Sequence, residues 1–97
     1  MDLSPSDHRY RALRHFLKQA RKLAGLSQQQ LAARVGQPQS FVSKYERGER
    51  RIDVVECFEV ARALGMDPSK FMVSLVAAMD EVSELQERGG RPQDTAA

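Results

Sequence analysis

The stretch from Leu26 to Gly48 constrains the fold most, because it carries the start and stop signals of two helices in close succession. Ser27 can cap the first helix, and Gln30, three residues later, completes a capping box. Gly36 suits the left-handed conformation that commonly ends a helix. Pro38 favours the first turn of the next helix and pushes the residue before it towards an extended capping conformation. The stretch therefore predicts two short helices joined by a tight turn.

The second of these helices has one apolar and one polar side. At about 100° per residue, Phe41, Val42 and Tyr45 fall on the same side of the helix. The opposite side carries amide, hydroxyl and cationic groups and no carboxylate. These residues are Gln39, Ser40, Ser43, Lys44 and Arg47. Such a surface suits the base edges and the phosphates of DNA.

An ordered set of residues in and around this stretch resembles the Cro and phage-repressor helix-turn-helix family, also called the xenobiotic-response-element family of bacterial regulators. The matching residues are Gly25 to Gln28, Leu31-Ala32, Gly36, Val42-Ser43, Tyr45-Glu46 and Gly48, and the resemblance continues from Ile52 to Asp67. It implies an all-α, compact five-helix, lambda-repressor-like DNA-binding domain. Pro38 departs from the family, which often has Ser or Thr there, and the segment after Asp67 is longer than the basic domain.

The resemblance implies that the second helix of the pair is the recognition helix. Gln39, Ser40 and Lys44 match base-contacting positions. A glutamine can form two hydrogen bonds to adenine, and a lysine can donate to guanine O6 and N7. Gln28 matches a position that contacts phosphate and braces Gln39, and the start of its helix exposes backbone amides to an anion.

Residues on the recognition helix and in the loop after it are candidates for contact with phosphates. We expect Ser43 and Arg47 to contact phosphates, and Arg50 and Arg51 to extend that contact beside the groove. The alternative is a solvated loop without a partner.

Family resemblance also predicts an ion pair within the domain. Arg21 matches an arginine that pairs with a glutamate at the end of the recognition helix, here Glu46. The pair would fix the recognition helix against the first helix, and it would contribute geometry more than affinity. The alternative is an exposed pair of small value.

Charge is divided unevenly along the chain. Residues 1–52 carry eleven Lys or Arg against four Asp or Glu, a balance of +7; residues 53–97 carry four against nine, a balance of −5, and the two add to +2. The basic half contains the helix-turn-helix, as a nucleic-acid footprint requires. For the first helix taken alone, simple solvation of its cations is the favoured explanation.

The remaining helices have their own signals. Ser6 or Asp7 can cap a first helix that runs to about Ala24. Its core-facing positions repeat at spacings of three and four: Tyr10, Leu13, Phe16, Leu17, Ala20 and Leu23. Asp53 and Glu56 form a capping box for a fourth helix, which contains Cys57 as a small buried residue and ends at Gly65. Asp67 and Pro68 start the last helix.

The last helix, predicted over residues 68–88, has more apolar surface than a small domain can cover. Its seam repeats in steps of four and three: Phe71, Leu75, Ala78, Val82 and Leu85. Met72, Val76 and Met79 widen the seam. We expect Phe71 and Leu75 to pack on the domain's own core. The predicted homodimer interface consists of Ala78, Met79, Val82 and Leu85. The alternative is a monomer whose helix frays after Met79.

The chain of 97 residues is long enough for one small domain. We expect a flexible N-terminus at 1–8, a helix-turn-helix domain at 9–88 with its dimerisation helix at 68–88, and a disordered tail at 89–97. The single Cys57 excludes an intrachain disulfide and fits a reducing compartment. No apolar run is long enough for a signal sequence or a membrane span, which predicts a cytoplasmic protein with no membrane partner.

The sequence indicates no enzyme, metal or cofactor. His8 and His15 are seven residues apart, with no cluster of Cys or carboxylates near them, and no glycine-rich phosphate loop is present. The favoured function is a sequence-specific regulator of transcription that binds double-stranded DNA, as a dimeric repressor of a palindromic operator. The alternative is an antitoxin-like interaction module, in which the last helix binds a protein partner and DNA binding is secondary.

Overall fold

The computed structural model describes residues 7–89, with side chains described as far as residue 81. These residues form five α-helices: α1 (His8–Leu23), α2 (Gln28–Val35), α3 (Gln39–Arg47), α4 (Val54–Ala63) and α5 (Pro68–Gly89). No strand occurs within this range. The predicted all-α, five-helix class is confirmed.

The outer helices extend slightly beyond the predicted domain bounds of 9–88. α1 begins at His8 and α5 reaches Gly89, so each extends one residue into a segment predicted to be flexible or disordered. The rest of those predicted segments, residues 1–6 and 90–97, lies outside the described residues.

Local capping signals place the helix starts as the sequence predicts. The Ser27 hydroxyl accepts from the Gln30 amide at 3.1 Å, and the Gln30 side chain accepts from the Ser27 amide at 2.8 Å. Asp53 and Glu56 form the same reciprocal pair at 2.7 and 3.0 Å. Asp7 caps α1 by accepting from the Arg9 amide at 2.9 Å. These bonds satisfy amides that have no partner inside a helix.

The turn between α2 and α3 differs in one detail from the prediction. Gly36 is left-handed as predicted, with φ +77°, and its amide donates to Ala33. Pro38, however, is itself the cap of α3, with an extended ψ of 156°, and α3 begins at Gln39. The prediction that Pro38 lies in the first turn behind a Gln37 cap is wrong. Proline has no side-chain acceptor, so it provides no capping hydrogen bond to the first amides of α3.

All five helices contribute to one core. The fully buried large side chains are Leu17, Leu31, Val42, Tyr45, Val60 and Phe71. The Phe16 and Phe71 rings join α1 to α5 edge to face at 5.2 Å. α5 therefore packs along α1, and Phe71 and Leu75 lie in the domain's own core as expected.

The predicted core side of α1 is wrong at its last residue. Leu23 is 87% exposed, whereas Ala12, which the pattern did not select, is buried. Leu23 is the last residue of α1, and it lines an open apolar groove with Phe16, Ala20 and Leu64 instead of entering the core. The predicted core side therefore holds as far as Ala20 and fails at Leu23.

Leu17 and Leu23 allow a matched test of this packing. We expect Leu17→Ala to lower the free energy of unfolding by about 3 kcal/mol, because it empties a closed part of the core. Leu23→Ala should change it by less than about 0.5 kcal/mol, because the side chain is in water. Urea denaturation followed by circular dichroism measures both. A large loss for Leu23→Ala would mean that another surface covers this residue in solution.

Candidate nucleic-acid interface

α3 is held in the domain by one side and exposes the other. Phe41, Val42 and Tyr45 are buried, and the Phe41 and Tyr45 rings meet edge to face at 5.3 Å. Of the polar residues on the other side, Gln39, Ser40, Lys44 and Arg47 are exposed. Ser43 is half-buried, and its hydroxyl donates to the Ser40 carbonyl at 3.4 Å. The structure thus brings the predicted base-contacting residues together on one outward surface.

The Glu46 carboxylate, at the end of α3, joins three helices. Its oxygens accept from Arg21 Nε at 2.8 Å and from Arg21 Nη2 at 3.0 Å. A third bond comes from Gln28 Nε2 at 2.9 Å. The Arg21 and Glu46 side chains are only 9% and 3% exposed. The end of α3 is therefore anchored to both α1 and α2.

Arg21 is fully engaged in this arrangement. Its remaining Nη1 donates to the Leu26 carbonyl at 2.9 Å, in the turn between α1 and α2. Hydrogen bonding to Glu46 raises the pKa of Arg21, so the guanidinium stays charged. The planar fork of an arginine suits two parallel bonds to a carboxylate. Sequence reasoning missed the Leu26 acceptor, since a backbone carbonyl carries no side-chain signal.

Gln28 has a different partner from the one that the resemblance implied. We expected it to brace Gln39, but its amide nitrogen donates to Glu46. The reason is geometric: Gln28 is the first residue of α2 and lies beside the end of α3 that carries Glu46. Its half-buried side chain thereby supports the Arg21–Glu46 pair.

The arginines at the end of α3 and after it are held by nearby carboxylates. Arg47 pairs with Glu49 through bonds of 2.6 and 3.3 Å. Arg50 pairs with Glu56, the capping residue of α4, through bonds of 2.9 and 2.7 Å. These hydrogen bonds are the largest cause of the lowered pKa of both Glu49 and Glu56, so both carboxylates are ionised at neutral pH.

Two arginines after α3, Arg50 and Arg51, also pack on aromatic rings. The Arg50 guanidinium lies 4.7 Å from the centre of the Phe41 ring, and Arg51 lies 5.5 Å from the centre of the Tyr10 ring. Such stacking holds the cation over a ring face while its edge remains available to other groups. The loop arginines therefore have defined positions before any DNA is bound.

An open groove runs along the outward side of α3 towards this loop. Its volume is about 390 Å³, and its lining includes Gln37, Pro38, Ser40, Lys44, Glu49 and Arg50. Predicted base-contacting and phosphate-contacting residues thus border the same concave surface.

The predicted dimer residues are described only in part. Ala78 and Met79 are half-buried on α5. Val82 and Leu85 lie on the helix, but their side chains are outside the described residues. Val73 and Val76, which are 70% and 46% exposed, add apolar surface to the same helix. Val73 was absent from the predicted apolar side.

The described part of the chain contains neither a metal-binding cluster nor a membrane-spanning helix. Among residues 7–81, no group of three or more His, Cys, Asp or Glu side chains could hold a metal ion. None of the described helices is both long enough and apolar enough to cross a membrane. Cys57 is buried, and burial raises the pKa of its thiol to about 11, so it is protonated at neutral pH.

Comparison with known proteins identifies the family. A helix-turn-helix family model matches residues 17–71, more than half of the chain. The chain belongs to the XRE family of helix-turn-helix regulators. This confirms the resemblance found in the sequence, and it makes the chain a DNA-binding transcription regulator of the XRE/Cro type.

The chain is similar to a curated relative and to solved structures. The HTH-type transcriptional regulator y4dJ of Sinorhizobium fredii (strain NBRC 101917 / NGR234), itself uncharacterized, is 39% identical over 61 residues, which are 63% of this chain and 74% of that protein. An XRE-family like protein from Pseudomonas syringae pv. tomato str. DC3000 is 51% identical with a TM-score of 0.66, covering 71% of this chain and 84% of its own.

Two further structures extend the comparison. The restriction-modification controller protein C.AhdI from Aeromonas hydrophila is 33% identical with a TM-score of 0.60, covering 67% of this chain and 97% of its own. The clp gene regulator ClgR from Corynebacterium glutamicum has a TM-score of 0.69 and covers 91% of this chain and 93% of its own. At 22% identity, the likeness to ClgR supports the fold alone.

The Arg21–Glu46 pair leads to a double-mutant prediction. We expect Glu46→Ala to lower the free energy of unfolding by about 2 kcal/mol, because it leaves the Arg21 guanidinium without its charged partner. The loss should be much smaller in an Arg21→Ala background. Gln28→Ala is the graded control, with a loss of about 1 kcal/mol, because it removes one bond and leaves the pair. Thermal and urea unfolding of the wild type, the two single variants and the double variant complete the cycle. Additive losses would rule out coupling between Arg21 and Glu46.

Proposed function

We propose that this chain is a sequence-specific transcriptional repressor that binds a palindromic DNA operator as a homodimer, with α3 in the major groove. The observation that carries the proposal is the outward side of α3, which presents amide, hydroxyl and ammonium groups without a carboxylate while its other side is buried. A helix held in this way can enter the groove without rearranging the domain.

Base contacts are assigned to Gln39, Ser40 and Lys44. The two residues at the start of α3 lead into the groove, and Lys44 follows about one turn later on the same side. Glutamine suits adenine, and lysine suits guanine O6 and N7. In this arrangement α2 crosses the backbone, and Gln28 at its start lies near a phosphate.

Phosphate contacts are assigned to Ser43, Arg47, Arg50 and Arg51. Arg47 and Arg50 would exchange a carboxylate for a phosphate on binding, since both are paired in the free protein. Pairs this exposed contribute little to stability, because water and salt screen them, so the exchange is inexpensive. In the free protein, Glu49 and Glu56 keep the two guanidinium groups extended beside the groove.

Dimerisation is assigned to α5. Phe71 and Leu75 are taken up by the domain core, and the helix continues past them on the same side to Gly89. A second copy can cover the same helix symmetrically, which places Ala78, Met79, Val82 and Leu85 at the interface. Two recognition helices about 34 Å apart would then contact successive faces of the major groove. A bound dimer would repress by occupying the promoter.

The exposed apolar residues of α5, Val73 and Val76, support a second candidate function. An antitoxin-like module would use this surface for a different protein, and DNA binding would be secondary. The two functions differ in the isolated protein: a homodimer covers its own α5, whereas an interaction module stays monomeric until its partner is added.

Selection of bound duplexes from a random DNA pool tests the proposed function. We expect two inverted half-sites whose centres are about 10 base pairs, one helical turn, apart. A reporter that carries the selected site within its promoter should be silenced by the chain. A pool that shows no enrichment would reject sequence-specific binding, and a single unpaired site would reject the symmetric dimer.

Substitutions on and beside α3 should separate base contacts from phosphate contacts. We expect Lys44→Ala or Gln39→Ala to cost about 1–3 kcal/mol of binding at the selected site and to relax base preference at one position per half-site. Arg47→Ala or Arg50→Ala should weaken binding to every sequence and flatten its salt dependence. Glu49→Gln is the opposite control: it frees Arg47 and should tighten binding to all sequences. An unchanged consensus for Lys44→Ala would contradict the proposed orientation of α3.

A further prediction concerns the mass of the protein in solution. Light scattering at micromolar concentration should give about twice the chain mass, and Val82→Glu with Leu85→Glu should halve it, because a buried charge opposes the interface. The double variant should also convert tight palindrome binding into weak half-site binding. Ala77→Glu, which adds a charge at an exposed position of the same helix, should leave the mass unchanged. A monomeric wild type that binds a palindrome tightly would disprove the dimer.

A further inference from the structure

One side of α1 carries a line of basic residues that the proposed function does not use. They are spaced four, three and four residues apart, which places them on one side of a helix. We name them the α1 stripe: Arg11, His15, Lys18 and Lys22, all of them exposed. The surrounding sequence is equally one-sided in charge, since residues 8–45 contain eight Lys or Arg and no Asp or Glu.

The α1 stripe lies beside the side of α1 that contacts the end of α3. Arg14 and Arg21 on α1 lie against that end: a Cβ on Gly48 would be 2.9 Å from Arg14 Cζ, and Arg21 bonds to Glu46. Lys18 follows Arg14 by four residues, which is a turn of only about 40° around the axis. Arg11, Lys22 and His15 lie about 60°, 80° and 100° from Arg14, so the stripe lies on the solvent side of α1, with Lys18 nearest to the end of α3.

Lys18 and Lys22 of the α1 stripe differ from Arg47 and Arg50 in having no counter-charge among the side chains that the structure describes. Arg47 and Arg50 are each paired with a carboxylate. By contrast, Lys18 and Lys22 make no hydrogen bond or ion pair with any residue whose side chain the structure describes. Unpaired cations in a line that contains no acidic residue concentrate positive potential, which attracts a polyanion.

We propose that the α1 stripe binds the phosphate backbone of the DNA that flanks each half-site. This inference rests on the proposed function, because it needs a duplex already held by α3. The stripe runs from Arg11 to Lys22, which is eleven helical steps and so about 16 Å, whereas each DNA strand presents a charge every 3.4 Å or so of its axis. Three cations along one helix can thus follow several phosphates without contacting a base.

Such contacts would alter affinity but not the preferred sequence. Each phosphate neutralised by a cation releases a counterion and steepens the salt dependence of binding. The effect needs DNA beyond the half-site, so it grows with the length of the duplex. The α1 stripe would therefore lengthen the footprint and strengthen binding to non-specific DNA.

The test compares two duplexes that carry the selected operator. The short duplex ends at the outer base pair of each half-site, and the long one adds about 10 base pairs, one helical turn, on each side. Affinity is measured against salt concentration for the wild type, for Lys18→Gln with Lys22→Gln, and for Arg62→Gln with Lys70→Gln. The last pair removes the same two charges from α4 and α5, so it controls for net charge.

The wild type should bind the long duplex more tightly than the short one, with a steeper salt slope. The stripe variant should lose most of that difference, and its slope on the long duplex should fall by about 1.8 per protomer, the value for two phosphates. The control pair should retain the difference, and Lys18→Arg with Lys22→Arg should restore it.

Several results would overturn the inference. A wild type with equal affinity for both duplexes would do so, and so would a stripe variant that behaves like the control pair. In both cases operator binding persists and the proposed function survives. A wild type that binds neither duplex would reject the proposed function as well.

Discussion

The orientation of α3 depends on a single carboxylate that is nearly out of water. Glu46 accepts hydrogen bonds from both α1 and α2. Burying a charge without partners is costly, so Glu46 can stay buried only while Arg21 is in place, and Gln28 adds one further hydrogen bond. The Arg21–Glu46 pair therefore contributes more to the orientation of α3 than to net stability. Any rotation of α3 that exposes its apolar side would also leave a buried charge without its partner.

Charges in this protein fall into three classes that match three tasks. The interior pair of Arg21 and Glu46 is fixed and positions the recognition helix. The loop pairs of Arg47 and Arg50 are exposed, so a phosphate can replace their carboxylates. The cations of the α1 stripe have no described counter-charge and are open to a distant polyanion. In the proposed function, burial thus decides which cation builds the domain and which one contacts DNA.

The parts of the fold that sequence predicted are those set by neighbours along the chain. Capping at Ser27 and Asp53 needs only a partner three residues away, and both boxes form. The Arg21–Glu46 contact spans 25 residues, and only family resemblance suggested it. The partner of Gln28 and the exposure of Leu23 could not be predicted, because they depend on how separate helices meet in space.

The same limit explains why the loop arginines were only half understood. Sequence shows that Arg50 follows the recognition helix, but not that it bonds to the capping residue of α4 while lying over Phe41. That contact ties the loop proposed to contact phosphates to the start of α4 and to the buried side of α3. Glu56 also forms the capping box of α4 with Asp53, through bonds that do not involve Arg50. A phosphate that replaces Glu56 as the partner of Arg50 therefore leaves this capping box intact. The loop can therefore change partners without loosening the helix behind it.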